Sequence, residues 1–431
     1  MKTKTPGTGT QVPPILSLSV LAIASVVLLS DCASIVGQLG GAWDRSPSEM
    51  PDLLSPGTRK FAELVYAGID PEHLADYHVH LLGLGENGSG CYVNPRMLSG
   101  EHPLHHFRFR IYCSAAGVRD PASGDSQFSA RLRALADTAP GRFLLLAFDE
   151  HWGADGRVVP EKTEFHVPND YALKVARTAP EHFAAAGSVH PLRPDACDEL
   201  RRLHAEGVRI IKWLPNAMGI DPSDPRCDAF YDTMRGLGLV LLTHGGVEAA
   251  VDAAEAQRLG NPLRLRRALE HGVKVIVAHC ASLGKGDVVI PPDGTQVENW
   301  QLLLRLMDDS RWDGLLFADL SATTQYNRSA VFLRTILERS DLHHRFVNGS
   351  DYPLPAVNVV IWLRRWVRAG LLDPEDLGPL RELYDVNPLA FDFALKRRLR
   401  VLHPDGRVSR FAASVFQENS ALPLSGPASS H

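Results

Sequence analysis

The feature that most constrains the fold of this chain is a series of eight short apolar runs, each followed by a segment with apolar residues at helical spacing. The runs are rich in Val, Ile, Leu and Phe without strict alternation, which is typical of parallel strands buried on both faces. Strands that alternate with helices predict a parallel sheet. The predicted strands are Ala75–His80, Phe143–Phe148, Phe183–Val189, Val208–Trp213, Leu239–Thr243, Val273–Ala278, Leu315–Leu320 and Phe346–Asn348.

Eight such units predict a closed (β/α)8 barrel, that is, a TIM barrel. The strand ends from Lys212 to Asp351 recur at intervals close to the roughly 31 residues that each unit of a typical barrel occupies. The first connection is much longer, which predicts an insertion at residues 81–141 with a helix near His105–Gly117. We therefore expect a barrel over residues 73–395, an N-terminal extension at 33–72, and a partly disordered C-terminal extension at 396–431.

The N-terminus is typical of an export signal. Lys2 and Lys4 precede the uncharged apolar run Ile15–Leu29, which is about as long as a signal-peptide core and shorter than a usual membrane span. Residues 1–32 are therefore predicted to be a signal peptide, with lipidation of Cys32 if it is of the bacterial lipoprotein type. Asp31 departs from that pattern, so cleavage elsewhere and an uncleaved anchor stay open. The prediction is export to a bacterial periplasm or attachment to a membrane through the N-terminus.

Charge and cysteine content exclude several classes of function. A formal net charge of -5 gives no basic footprint for nucleic acid. The six cysteines form no CxxC pair, which argues against a zinc knuckle and a thioredoxin-like site. Histidine stands out with 18 residues, several of them at the ends of apolar runs.

Four of the predicted strands end in residues that can bind a metal. The first strand reads Asp76-Tyr77-His78-Val79-His80, and simple alternation places its Asp and both His on one face. His244, His279 and Asp351 end three later strands. Barrel enzymes collect their catalytic groups at the carboxyl ends of several strands. Imidazole and carboxylate ligands suit a divalent ion, with zinc expected first and manganese or iron as alternatives, as one or two ions.

The order His-x-His, His, His, Asp along barrel strands resembles the amidohydrolase superfamily. The segments Phe346–Pro353 (FVNGSDYP) and Val386–Asp392 are similar to its amidohydrolase-related branch, which includes aminocarboxymuconate-semialdehyde decarboxylase. The resemblance implies a TIM barrel and a metal held by His78, His80, His244 and Asp351. It also implies that Asp351 carries a proton and that His279 acts as a polarising residue or as a ligand of a second metal.

Lys212 lies within an apolar strand, where a charged amine is costly unless it is paired or neutral. Two interpretations stay open. In binuclear members of the family, a lysine at the fourth strand forms a carbamate that bridges two metals. Alternatively, Lys212 pairs with a carboxylate in a mononuclear site.

Further candidates lie near the predicted strand ends. His190, Trp213 and Tyr92 are candidates for substrate binding, and Glu248 for orienting a ligand imidazole. Decarboxylation or lactone hydrolysis would call for an arginine beside the metal to hold a substrate carboxylate. Arg108, Arg110 and Arg328 could supply it.

The sequence thus predicts a metal-dependent hydrolase that cleaves an amide, ester or lactone of a small molecule with a metal-bound water. The first alternative is a non-oxidative decarboxylase of a small carboxylic acid on the same site. A membrane-tethered metal- or ligand-binding protein and a phosphoesterase are further alternatives. A homodimer is one of the oligomeric states left open.

Overall fold

A computed structural model describes residues 32–427 of the chain, apart from residues 42, 44 and 252. Each of the eight predicted strands forms where the apolar run predicts it, although most are a few residues shorter. The barrel strands are β1 (Ala75–His80), β2 (Arg142–Leu146), β3 (Phe183–Ala186), β4 (Ile210–Trp213), β5 (Val240–His244), β6 (Lys274–Ala278), β7 (Leu316–Asp319) and β8 (Phe346–Val347).

The eight strands close into one ring of parallel neighbours. β1, β2 and β3 pair in chain order, as do β4 to β8. A parallel bridge between Gly187 and Ile211 joins β3 to β4, and a second between Val79 and Tyr352 joins β1 to the end of β8. These contacts confirm the predicted (β/α)8 barrel, in which all catalytic groups are expected at one mouth.

Helices surround the barrel and follow its strands. Gly207 and Gly272 follow two of these helices and have positive φ angles of 91° and 75°, which glycine adopts without strain. The α-helices of five or more residues are α1 (Cys32–Gly40), α2 (Pro56–Tyr66), α3 (Pro103–Ala115), α4 (Gly124–Ala136), α5 (Asn169–Arg177), α6 (Ala196–Ala205), α7 (Asp228–Leu237), α8 (Arg266–Glu270), α9 (Asn299–Met307), α10 (Ala330–Glu338), α11 (Leu363–Arg368), α12 (Leu377–Val386) and α13 (Pro388–Arg398). None of the helices within the described residues is long and apolar enough to cross a membrane.

The long connection between β1 and β2 contains α3, α4 and the short strand Tyr92–Val93. That strand pairs in antiparallel fashion with Phe165–His166, which follows β2. Val93 and Phe109 of this connection line the cavity at the mouth of the barrel. The connection therefore forms part of the wall above the strand ends.

Apolar side chains fill the interior of the barrel below the mouth. Ala75, Tyr77, Leu242 and Ile276 belong to one buried cluster inside the ring. The C-terminal segment completes this cluster, because Leu422 and Leu424 are fully buried in it. The hydroxyl of Tyr77 donates a hydrogen bond to the carbonyl of Leu422 at 2.8 Å.

Candidate metal centre

The two histidines of β1 meet at the mouth of the barrel. Their Nε2 atoms lie 3.3 Å apart. β1 is irregular between Asp76 and Val79, so its side chains do not simply alternate. Asp76 consequently does not share the face of the histidines, although simple alternation predicted that it would. Its carboxylate instead accepts hydrogen bonds from the backbone N–H groups of His78 and Ser350, at 3.0 and 2.8 Å.

Asp351 completes this group from the loop after β8. Its Oδ1 lies 3.4 Å from His78 Nε2 and 3.2 Å from His80 Nε2. Its φ angle is 66°, a left-handed conformation that aspartate tolerates better than most residues. A Cβ on Gly349 would lie 2.8 Å from the Cβ of His78, so glycine is needed for this close approach to β1. The three side chains form a group with the spacing of metal ligands.

His244 ends β5 and lines the same cavity. Its Nδ1 lies 3.5 Å from a carboxylate oxygen of Glu248, the residue that the sequence suggested for orienting a ligand imidazole. Its Nε2 is buried and has no hydrogen-bond partner among the described residues. An unpaired buried nitrogen is costly, so a ligand at this position would remove an unfavourable feature of the site.

Asp319, at the end of β7, fixes the orientation of two histidines. The Nδ1–H of His78 donates to Asp319 Oδ2 at 2.9 Å, which leaves His78 Nε2 as the lone-pair nitrogen. The backbone N–H of His279 donates to Asp319 Oδ1 at 2.8 Å. The Ser321 hydroxyl also donates to Asp319, and this hydroxyl lies 2.7 Å from Nδ1 of His279. His279 is thereby held with its Nδ1 engaged and its Nε2 free to act as a ligand.

The side chain of Lys212, in β4, is buried among these histidines and carboxylates. Its Nζ lies 3.1 Å from His78 Nε2. Burial lowers the pKa of Lys212 to about 8, against the opposing influence of Asp319, Asp351 and Glu248. A neutral amine, which carbamate formation requires, is therefore more accessible here than for an exposed lysine.

The donor set fits a divalent metal ion. Burial is the main cause that lowers the pKa of His78, His244 and His279, so these imidazoles are neutral at pH 7 and present lone pairs. Neutral imidazole nitrogens with an adjacent carboxylate are the usual ligands of zinc, manganese and iron. His78, His80 and Asp351 would hold one ion, with His244 closing the set from β5.

The cavity above the cluster is largely apolar. Its walls include Val93, Met97, Phe109, Phe165 and Leu354. Such a wall favours substrates with an apolar body.

Arg328 is the notable polar group of this cavity. It is only 6% exposed, and its Nη1 has no hydrogen-bond partner among the described residues. Burial lowers its pKa to about 10, so the guanidinium is charged at pH 7. A charged and partly unpaired guanidinium is able to bind an anionic group on a molecule in the cavity.

The three residues that the sequence suggested for substrate binding do not line the cavity. Trp213 points outward, donates to the carbonyl of Val189 at 2.8 Å, and packs on Phe230. His190 is buried elsewhere, with its Nε2 3.1 Å from the carbonyl oxygen of Met218. Tyr92 lies beside Val93 on the small ribbon, where Val93 and not Tyr92 lines the cavity.

Asp319 and Ser321 were not singled out from the sequence as site residues. The available signal was the carboxylate at the end of a buried strand, Leu315–Leu320. The predicted signal peptide lies outside the described residues. The backbone of Cys32 begins α1, and its side chain is also outside the description.

The comparisons with known proteins show distant structural likeness alone. No protein-family model and no curated protein matches the chain. The 5-carboxyvanillate decarboxylase of Sphingomonas paucimobilis is 14% identical with a TM-score of 0.40, over 74% of this chain and 98% of that one. The 4-oxalomesaconate hydratase of Rhodopseudomonas palustris is also 14% identical with a TM-score of 0.40, over 75% of this chain and 98% of that one.

A third structure is the 5-carboxyvanillate decarboxylase of Novosphingobium aromaticivorans with bound manganese, at 12% identity and a TM-score of 0.40. The match covers 74% of this chain and 94% of that one.

Proposed function

We propose that this protein is a metal-dependent hydrolase that cleaves an amide, ester or lactone bond of a small molecule. The observation that carries the proposal is the convergence of His78, His80 and Asp351 within 3.4 Å at the mouth of a barrel. The unpaired Nε2 of His244 adds a fourth ligand position. A purely structural cluster would be expected to satisfy that nitrogen internally.

A divalent ion in such a site supplies an activated water and polarises a carbonyl oxygen. Asp351 is the residue placed to take a proton, because its carboxylate lies beside the ligand atoms of both β1 histidines. It would pass that proton to the leaving group. The engagement of His279 Nδ1 by Ser321 leaves Nε2 unprotonated, which favours the role of His279 as a ligand of a second metal over that of a donor to the carbonyl.

Metal content and turnover of the full chain test the proposal. We expect one or two divalent ions per chain by elemental analysis, with zinc ahead of manganese and iron. His78→Ala should lose them, and the exposed His73→Ala should retain them. Asp351→Asn should keep most of the metal and lose at least about 100-fold in kcat on a panel of esters, lactones and amides. Absence of metal from the parent protein after incubation with zinc and manganese would overturn the proposal.

The number of ions depends on Lys212. A carbamate on Lys212 would allow the site to hold two metals. The Nζ of Lys212 lies 3.1 Å from Nε2 of His78, so both residues could contribute to the same metal site. We expect Lys212→Ala to reduce two bound ions to one or none if the carbamate forms. One ion that is unaffected by Lys212→Ala would instead indicate a mononuclear centre.

Arg328 favours decarboxylation as a second candidate function on the same site. Its buried, partly unpaired guanidinium faces the cavity that also contains Asp351 and His279. Loss of carbon dioxide from a carboxylate held there would leave the electron pair of the broken C–C bond on carbon, and a proton passed from Asp351 would complete the product. Hydrolysis adds water across a bond, whereas decarboxylation adds none.

Product analysis separates the two reactions. In H₂¹⁸O, a hydrolase places ¹⁸O in the acyl product, whereas a decarboxylase releases carbon dioxide and leaves the remaining organic product without that label. We expect Arg328→Gln to raise KM for carboxylate substrates by about 10-fold or more and to spare their uncharged methyl esters. An equal effect on both series would show that Arg328 does not bind a carboxylate.

Export through the N-terminal signal, with lipid on Cys32, is also proposed from the sequence. Cell fractionation and radioactive palmitate labelling of the full chain test it. We expect label in the membrane fraction that is lost in Cys32→Ala.

A further inference from the structure

One face of the protein combines four arginines with an exposed tryptophan, and we call it the arginine face. It consists of Arg364, Arg365 and Arg368 around α11, Arg381 of α12, and Trp362. Arg364, Arg368 and Arg381 are exposed. Together with apolar residues they line a shallow groove on the outside of the barrel.

The positive charge of this face is largely unbalanced. Many exposed arginines of the protein pair with carboxylates, such as Arg201 with Asp198 at 2.6 Å. By contrast, none of the four arginines of the arginine face forms an ion pair with a described carboxylate. Asp385 lies close enough for Arg381 to lower its pKa, in opposition to burial. This leaves a net positive field that attracts an anionic partner.

Trp362 adds an apolar element to the same face. It is 56% exposed, and Val359 beside it is 38% exposed. Its indole nitrogen donates to the carbonyl of Val359 at 3.0 Å, and its ring lies on Tyr326 at 5.2 Å between centroids. The indole is therefore held on the surface and not free to fold inward. Tryptophan beside basic residues is characteristic of surfaces at the membrane–water interface.

The N-terminal helix reaches the protein beside this face. The side chain of Asn358 donates to the carbonyl of Gln38 in α1 at 2.9 Å. The apolar run Ile15–Leu29 comes just before α1 in the chain, outside the described residues. An N-terminus attached to a bilayer would therefore hold the arginine face within reach of its headgroups.

We propose that the arginine face docks on a bilayer of anionic phospholipids. The arginines contact phosphate-bearing headgroups, and Trp362 inserts at the level of the headgroups. The inference is independent of the proposed reaction. Each arginine near an anionic membrane strengthens binding by about fivefold, so the three exposed arginines together contribute on the order of 100-fold.

Tryptophan fluorescence of the full chain tests the proposal on vesicles that contain brominated phosphatidylglycerol. Among the tryptophans of the described residues, Trp362 is the exposed one, so quenching by brominated lipid reports its contact with the bilayer. We expect quenching in the parent protein and its loss in Trp362→Phe. The triple variant R364Q/R368Q/R381Q should lose it even when the N-terminus keeps the chain on the vesicle.

The matched control removes the same charge elsewhere. Arg235, Arg266 and Arg305 are exposed on helices around the barrel, and R235Q/R266Q/R305Q should quench like the parent protein. The parent should also show no quenching on brominated phosphatidylcholine vesicles. Equal quenching in the two triple variants would overturn the proposal, as would no quenching in the parent. Abolition of quenching by millimolar inorganic phosphate at constant ionic strength would likewise overturn it in favour of a site for small anions.

Discussion

At the scale of single residues, Asp319 contacts two histidines of the site without itself belonging to the predicted ligand set. It accepts hydrogen bonds from His78 Nδ1, from the backbone of His279 and from Ser321. The first of these bonds sets which nitrogen of His78 carries the proton. An imidazole held in the wrong tautomer presents an N–H and not a lone pair to the metal.

We expect Asp319→Asn to weaken metal binding by about 10- to 100-fold, as is usual when a partner of a ligating histidine is lost. In the parent protein, both His78 and His279 donate hydrogen bonds to the carboxylate. The asparagine amide would point its N–H₂ group, which is also a donor, at one of these two residues. Competition with a chromogenic zinc chelator measures the affinity. The exposed Asp198→Asn should bind zinc like the parent protein, and unchanged affinity in Asp319→Asn would refute the role of this residue.

His190 makes a second prediction at this scale, because burial lowers its pKa to about 3. In the neutral form its Nδ1 accepts from the N–H of Leu192 and its Nε2–H donates to Met218. The unfolded chain binds a proton at His190 below about pH 6.5, whereas the folded chain does not until about pH 3. Folded stability is therefore intact above pH 6.5 and falls by about 1.4 kcal/mol per pH unit below it.

Urea unfolding of the metal-free protein at pH 7.5 and pH 5.0 measures this effect. We expect His190→Gln to lose about 2 kcal/mol less than the parent protein between these two pH values. An identical loss in both proteins would show that His190 is protonated in the folded state at pH 5.0.

At the scale of strands and helices, the sequence predicted the barrel well because fully buried strands need continuous apolar runs. Val273–Ala278, for example, corresponds to β6 at Lys274–Ala278. Polar residues at the ends of such runs, as at His244 and His279, could be recognised for the same reason. Elements whose apolar residues follow no regular spacing were harder to predict. The irregularity in β1 moved Asp76 off the face of the histidines, and alternation alone gives no sign of it.

Contacts between distant segments could not be predicted from one sequence. Trp213 follows Lys212 directly, so alternation places it on the opposite side of β4, but the sequence gives no sign that it packs on Phe230 there. Arg328 lies beyond the end of β7, where no pattern indicates that its side chain turns into the cavity. The composition of the C-terminal end likewise gave no reason to expect that Leu422 and Leu424 enter the barrel.

The closing helix α13 supplies a prediction about an element. Its Lys396 is fully buried, donates to the carbonyl of Gly349 at 2.5 Å, and pairs closely with Asp392. This contact anchors α13 to the loop that carries Asp351. We expect Lys396→Met to lower the free energy of unfolding by about 3–5 kcal/mol, because it leaves Asp392 buried without a partner.

The double variant K396M/D392L is the control for that prediction. Removal of both charges should recover much of the lost stability in urea unfolding, since no unpaired charge remains. A double variant that is as unstable as Lys396→Met would show that the hydrogen bond to Gly349, and not the ion pair, is the main contribution of Lys396.

At the scale of the whole molecule, the barrel is closed at its floor by the C-terminal segment. Leu422 and Leu424 are fully buried, and each such side chain contributes about 1.5–3 kcal/mol. We expect deletion of residues 418–431 to lower the free energy of unfolding by about 3–6 kcal/mol. Deletion of residues 428–431 alone should have no measurable effect in the same urea titration. Equal stability of both deletions would contradict the role of the segment.

The closure of the barrel between β1 and β8 also determines when the proposed metal site can form. His78 belongs to the first strand and Asp351 follows the last, and the N–H of Asp351 bonds to the carbonyl of His78 at 2.7 Å. A ribosome must therefore release nearly the whole chain before the ligands can come together. Partly synthesised chains have no complete site with which to capture an ion. The proposed metal would consequently be taken up from the ions available in the compartment where the finished chain folds.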